Sequence, residues 1–215
     1  MKTVLVTGGT VRLGAAIAER LKAEGWRVIT SSHRADAGAD LVADLSAPDG
    51  AVKLYAAALK ALDGNPPDAL VNNAALFTGD AAAIAAVNLE SPKKLTTLMA
   101  GRETGVGAVV NILDTKALDA SRCLPTSIDT YLASKRSLLD FTRSAAATFA
   151  ATLRVNAVAP GPVLAPTNVH VKAGATLLDR RPTADDVAAA VSYLLAAESV
   201  TGAVIPVDAG QHLIS

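Results

Sequence analysis

A chain of 215 residues, 51% of them hydrophobic, suits one domain with a sizeable core, residues 1–215, and leaves little room for a second. Its 20 Lys and Arg offset 20 Asp and Glu, which argues against a global field that would attract nucleic acid or an anionic membrane, so recognition must be local. The single cysteine, Cys123, excludes an internal disulfide and a thiolate metal cluster, and no metal site is expected.

The chain opens on a short apolar strand at 3–6, which Thr7-Gly8-Gly9 and Arg12 end too early for an export signal. A helix is expected over 13–23, closed by Gly25, followed by strands over 27–30 and 40–43. The next helix spans 48–62 with Pro48 in its first turn, and 69–72 is the fourth strand. A long helical stretch over 80–100 precedes a strand at 107–113, a helix at 127–151 and a strand at 154–158. After an irregular Pro-rich stretch, residues 183–197 form the last helix and 203–207 the seventh strand. Runs without strict apolar–polar alternation fit strands covered by helices on both faces, the parallel α/β arrangement. No apolar run approaches the roughly 20 residues of a membrane-spanning helix, and the expected location is the cytoplasm.

Three clusters carry chemistry. Thr7-Gly8-Gly9-Thr10-Val11-Arg12-Leu13-Gly14 lies between the first strand and the first helix. Glycine there allows close approach to a phosphate, and the helix start offers free N–H donors; alone, such a turn merely connects elements. Ser31-Ser32-His33-Arg34 ends the second strand, where a dinucleotide fold meets the adenosine ribose. Its basic groups and hydroxyls, with Arg12 nearby, suit a 2′-phosphate, although Asp36 could instead bring a carboxylate to the ribose, and a solvated loop is equally ordinary. Tyr131 and Lys135 stand four apart on a helix, hence on one face. A phenol can protonate a developing anion, and a cation one turn away lowers its pKa from ~10.

With Asn72-Asn73-Ala74-Ala75, Asn88 and Pro160-Gly161 in order behind them, these motifs make the whole chain resemble a short-chain dehydrogenase/reductase. The resemblance implies a Rossmann-like, doubly wound parallel seven-stranded sheet. It also implies cofactor contacts from Gly8, Thr10, Arg12, Leu13, Gly14, His33, Arg34, Asp44, Leu45, Asn73, Ala74, Tyr131, Lys135, Pro160, Gly161 and Val163. Asn88, Tyr131 and Lys135 match the family's catalytic residues, Asn88 ordering a water. Two departures narrow the likeness: Arg12 in the turn, and Asp114 where the wider family has a catalytic serine. Both resemble pteridine reductases and bacterial dihydromonapterin reductases, as do His33-Arg34 and Phe77.

That resemblance implies a reductase using NADP(H) on a dihydropterin of the dihydrobiopterin, dihydromonapterin or dihydrofolate class. Arg12, Phe77, Asp114 and Tyr131 would bind the substrate, with Phe77 stacking on the flat ring and Asp114 and Tyr131 relaying a proton. Core packing is the bland reading of Phe77, and a strand-end cap that of Asp114. A carbonyl or 3-oxoacyl reductase with the same Tyr–Lys pair is the first alternative, and a non-catalytic nucleotide-binding sensor the second. The family likeness further implies a homo-tetramer or homo-dimer built on the long helices. In the segment 160–182, His170, Lys172 and Arg180-Arg181 could touch ligand but read more simply as solvated charges. The family's threonine past Pro-Gly is replaced by Ala165, with Thr167 two places on.

Overall fold

The computed structural model describes residues 1–103, 105–119, 129–163 and 176–214. Cys123, the expected helix start near 127, and Ala165, Thr167, His170 and Lys172 lie outside the described residues. Seven strands, β1 (Thr3–Thr7), β2 (Arg27–Ser32), β3 (Leu41–Val42), β4 (Ala69–Asn72), β5 (Gly107–Ile112), β6 (Leu153–Pro160) and β7 (Val204–Val207), form one sheet in the order 3-2-1-4-5-6-7. All pairings are parallel, for example Leu5 beside Ile29 on one side and Leu70 on the other.

The sheet is covered on both faces because successive residues of its central strands point opposite ways. Val4, Val6, Val71 and Val110 join Ile17 and Leu21 of α1 (Arg12–Ala23) and Val191 and Leu194 of α6 (Ala184–Ala196) in one core. Leu5, Leu70 and Val109 join Leu54 of α2 (Gly50–Ala61) and Leu95 and Met99 of α4 (Ser91–Ala100) in the other. Apolar pressure from both sides is why these strands read as runs rather than alternations. Strand order reverses between β1 and β4, which start two opposite windings and leave a crevice at their carboxyl ends.

Three expectations shift. β3 shrinks to two residues, since only Ser31–Leu41 and Ser32–Val42 pair at that edge. Pro48 lies ahead of α2, which starts at Gly50, so proline precedes the helix instead of sitting in its first turn. The stretch expected as one helix over 80–100 is α3 (Ala81–Ala85), a π-helical turn (Ala86–Glu90) and α4. The π turn centres on Asn88, whose fully buried side chain bonds the neighbouring loop; such bulges recur at functional positions. The 20-residue helix α5 (Asp129–Thr148) carries Tyr131 and Lys135.

Candidate active site

Parallel strands bring the turns that follow β1, β2, β4, β5, β6 and β7 to one edge of the sheet. At its centre, Thr7 ties the Gly-rich turn to the Asn72–Ala75 motif. Its hydroxyl donates to the Val71 carbonyl (3.3 Å) and accepts the N–H groups of Asn73 and Ala74 (3.0 Å each). Asn73 returns the contact, its amide donating to the carbonyls of Thr7 (2.9 Å) and Gly8 (3.0 Å). The Gly-rich turn is thereby stitched to the turn after β4, and this linking role of Thr7, the first residue of the glycine motif, is one that pattern reading missed. A threonine ending a strand carries no signal of its own until the neighbouring strand is known.

Gly8 has φ +63°, and a Cβ on Gly14 would press on the Gly8 carbonyl and lie 2.6 Å from Asn73 Nδ2. Arg12 is also left-handed (φ 51°) and exposed; its side chain has no hydrogen bond among the described residues. No side chain caps α1, and no acid sits in its first turn, so its free N–H groups and dipole face the turn unopposed. This glycine cradle on an open helix end fits a dinucleotide pyrophosphate. Thr10 and Leu13 are half-buried in the same turn, Leu13 against the core. Gly14→Ala is expected to weaken cofactor binding at least tenfold and to cost about 1–3 kcal/mol of stability by overpacking; cofactor titration and thermal melts check it.

Beyond β2, Ser32 Oγ accepts the Arg34 N–H (3.1 Å), and His33 and Arg34 are exposed. Arg34 already has a partner: it forks onto Asp36, Nε to Oδ1 at 2.9 Å and Nη2 to Oδ2 at 2.7 Å. Asp44 Oδ1 accepts the Ser46 hydroxyl (2.6 Å) and N–H (2.8 Å), bonds that hold its carboxyl below the ordinary carboxylate value. Leu45 is buried beneath it, and Ser91 Oγ donates to the Leu45 carbonyl (2.8 Å). Asp40, which no motif singled out, accepts from both the N–H and the hydroxyl of Thr30 (2.7 Å each) and pins the strand end.

At the far side of the edge, Pro160 closes β6, and the Gly161 N–H donates to the Val207 carbonyl (3.0 Å). A Cβ on Gly161 would come 2.9 Å from the Asp208 Cα, so only glycine lets the two chain ends pass. Val163 turns back, its N–H donating to the Gly161 carbonyl (2.8 Å), and packs on the core. Buried Asp208 accepts from the N–H and Nδ1 of His212.

Tyr131, Asp114, Phe77, Asn88 and Lys135 converge between these halves. The Tyr131 hydroxyl donates to Asp114 Oδ2 (3.3 Å), and its ring lies 4.8 Å from that of Phe77, tilted by 59°. Phe77 is 57% exposed, which removes the core-packing reading. Asp114 makes two contacts: Oδ1 accepts the Lys116 N–H (2.9 Å), capping the 3-10 turn Thr115–Ala117, while Oδ2 accepts from the phenol. Lys135 is 2% exposed and donates to the Ile112 carbonyl (2.8 Å).

One expected effect changes. The Tyr131 phenol is pushed up, not down: burial acts first, and the negative charge and hydrogen bond of Asp114 add to it. Lys135 stands 5.9 Å from the Tyr131 ring centre, and burial pulls its own ammonium down to about 8 against the opposing pull of Asp114. The Asn88 side chain is bonded within the protein. Its amide donates to the Leu76 carbonyl (2.9 Å) and Ser134 Oγ (3.1 Å) and accepts the Leu76 N–H (2.8 Å), fixing the loop that carries Phe77 to the helix that carries Tyr131. Ser134 is the second missed residue; only the packing of α5 on the π turn makes it a partner.

Among the described residues, no three His, Cys, Asp or Glu side chains gather as a metal site, and no helix is long and apolar enough to cross a membrane. The family model described as enoyl-(acyl carrier protein) reductase matches residues 12–212. The solved structure of FolM alternative dihydrofolate reductase 1 from Brucella canis, complexed with NADP, is similar with a TM-score of 0.83. It is 31% identical, covering 99% of this chain and 94% of that one. Pteridine reductase 1 of Leishmania tarentolae is 29% identical over 97% of this chain and 96% of its own length. A Streptomyces violaceoruber protein named as ketoacyl reductase 2 of the granaticin polyketide synthase is 32% identical over 98% of this chain and 96% of its own. The chain belongs to the short-chain dehydrogenase/reductase family and is an oxidoreductase that uses a nicotinamide cofactor.

Proposed function

We propose that this oxidoreductase uses NADPH to reduce dihydropterins to their tetrahydro forms. The observation that carries the reading is the Tyr131–Asp114 hydrogen bond beside the exposed Phe77 ring. A ketone reductase needs an uncharged donor at the carbonyl oxygen, and a carboxylate there would oppose the developing oxyanion. A ring nitrogen must gain a full proton, which a phenol coupled to a carboxyl can deliver. The names of the Leishmania and Brucella relatives support the same substrate class.

In this reading Gly8, Thr10, Arg12, Leu13 and Gly14 hold the pyrophosphate, His33 and Arg34 the 2′-phosphate, and Asp44 and Leu45 the adenine. Asn73, Ala74, Pro160, Gly161 and Val163 hold the nicotinamide half, with Tyr131 and Lys135 at its ribose. Bound NADPH supplies a hydride to the electron-poor carbon of the pterin C=N bond. Tyr131 delivers its proton to the nitrogen, and solvent returns one to the phenol by way of the Asp114 carboxylate, so that two anions never stand side by side. Asn88 and Ser134 keep Phe77 and Tyr131 in register, and Phe77 and Arg12 grip the pterin. The protein acts in the cytoplasm as a homo-tetramer or homo-dimer.

Carbonyl or 3-oxoacyl reduction is the competing reading, favoured by the enoyl and ketoacyl reductase likenesses. An NADPH-oxidation assay over dihydrobiopterin, dihydromonapterin, dihydrofolate and a ketone and 3-oxoacyl panel decides. Turnover of a dihydropterin well above any ketone is expected, and the reverse order overturns the reading. Arg34→Ala should weaken NADPH about 10- to 100-fold, the loss of a charged hydrogen bond, and leave NADH unchanged in parallel titrations.

A further inference from the structure

Arg34 is the side chain best suited to a 2′-phosphate, and the fold has already filled its fork. Ser32 Oγ accepts the Arg34 N–H, the 3-10 turn Ala35–Ala37 follows at once, and left-handed Gly38 (φ 65°) closes it. That tight turn places the Asp36 carboxylate two residues from the guanidinium, bonded at Nε (2.9 Å) and Nη2 (2.7 Å). Two parallel N–H···O bonds are also the geometry in which arginine takes a phosphate, so both anions claim the same donors. The pair is exposed, Arg34 at 63% and Asp36 at 69%, so water and a ligand both reach it.

We infer that Asp36 is an internal competitor for the Arg34 fork and sets how strongly the protein discriminates NADPH from NADH. The inference rests on the reading of 31–34 as the 2′-phosphate subsite. A 2′-phosphate has to displace the Asp36 carboxylate, or share Arg34 with it against like-charge repulsion. NADH carries no such group, leaves the pair intact and meets no competitor. Asp36 therefore weakens NADPH binding selectively. An exposed ion pair costs only about one- to fivefold to break, so the phosphate still wins, with a narrowed margin. Among cationic neighbours, His33 also acts on Asp36, and it acts on Asp44 across the same loop.

The test is calorimetric or fluorescence titration of the full chain with NADPH and with NADH, in wild type, Asp36→Asn, Asp36→Glu, Arg34→Ala and the double variant Arg34→Ala/Asp36→Asn. Asp36→Asn keeps the size and removes the charge; it should tighten NADPH about three- to tenfold, the released pair plus the lost repulsion, and move NADH less than twofold. Asp36→Glu, which restores the charge, should return NADPH affinity toward wild type. In the Arg34→Ala background the gain from Asp36→Asn should shrink, since the competition acts through Arg34. NADPH binding that is unchanged or weaker in Asp36→Asn overturns the inference while leaving the subsite in place. Loss of NADH affinity in that variant assigns Asp36 to the ribose hydroxyls and also overturns it. A wild type that prefers NADH removes the 2′-phosphate reading itself, and the inference with it.

Discussion

Tyr131→Phe is expected to lower turnover by about 10²- to 10⁴-fold, the span of general acid catalysis, while NADPH still binds and the melting temperature stays near that of wild type. The substitution keeps the ring that packs on Phe77 and deletes only the hydroxyl that donates to Asp114. Burial and the Asp114 charge push the phenol up, so Tyr131 is a protonated donor across the neutral range. The alkaline limb therefore belongs to Lys135, whose ammonium is pulled down to about 8 by burial. Its charge is present below that pH and lost above it, so kcat/KM should fall as pH rises through about 8. Stability should move the other way. Unfolded chains keep this proton up to the ordinary value of 10.5, so between about 8 and 10.5 the unfolded state binds more protons and unfolding free energy rises with pH. Lys135→Met should remove that limb, and near-normal turnover in Tyr131→Phe would refute the proton-donor role.

Asp114→Asn should reduce dihydropterin turnover by about 10²-fold or more, the loss of a proton relay, and do less harm to any carbonyl substrate. Asparagine retains an oxygen for the Lys116 N–H, so the cap of the Thr115–Ala117 turn survives and the fold should not change. What disappears is the negative charge that raises the Tyr131 phenol. Removing that charge lets the phenol fall back toward its ordinary value, which suits an oxyanion better than a ring nitrogen. Asp114→Ser should carry the shift further, raising the ratio of ketone to pterin turnover. Measured ratios that are equal in wild type, Asp114→Asn and Asp114→Ser would detach Asp114 from substrate choice.

The order of the seven strands along the chain, the two-sided burial and the parallel α/β class are legible in the residue pattern, because apolar runs such as 3–6 and 107–113 are local and continuous. That pattern also carries the chemical inventory: a phenol and an amine one helical turn apart, a glycine turn before a helix, a carboxylate after β5. Each of those signals is a short-range spacing that any reader of the chain can count. The boundaries of β3 and α2 were less legible, since an edge strand of two paired residues and a helix start behind Pro48 depend on neighbours more than on propensity.

How that inventory is wired is set by contacts between elements of the fold. Thr7 is an ordinary strand residue until parallel pairing of β1 with β4 sets its hydroxyl under the Asn73 and Ala74 N–H groups. Lys135 looked like the cation that would acidify Tyr131. Burial instead drew its ammonium toward neutrality, while a carboxylate 17 positions upstream took the phenol. The partners of the Asn88 amide, Leu76 and Ser134, are set by a π turn that the residue pattern does not announce. Arg34 looked free until a three-residue turn folded Asp36 onto it. In each case the deciding quantity is a distance or a desolvation between groups far apart in sequence or joined by an irregular turn. Hydrogen bonds and charge shifts depend on separations of a few ångströms and on exclusion of water, and neither is written in the spacing of residues along a chain.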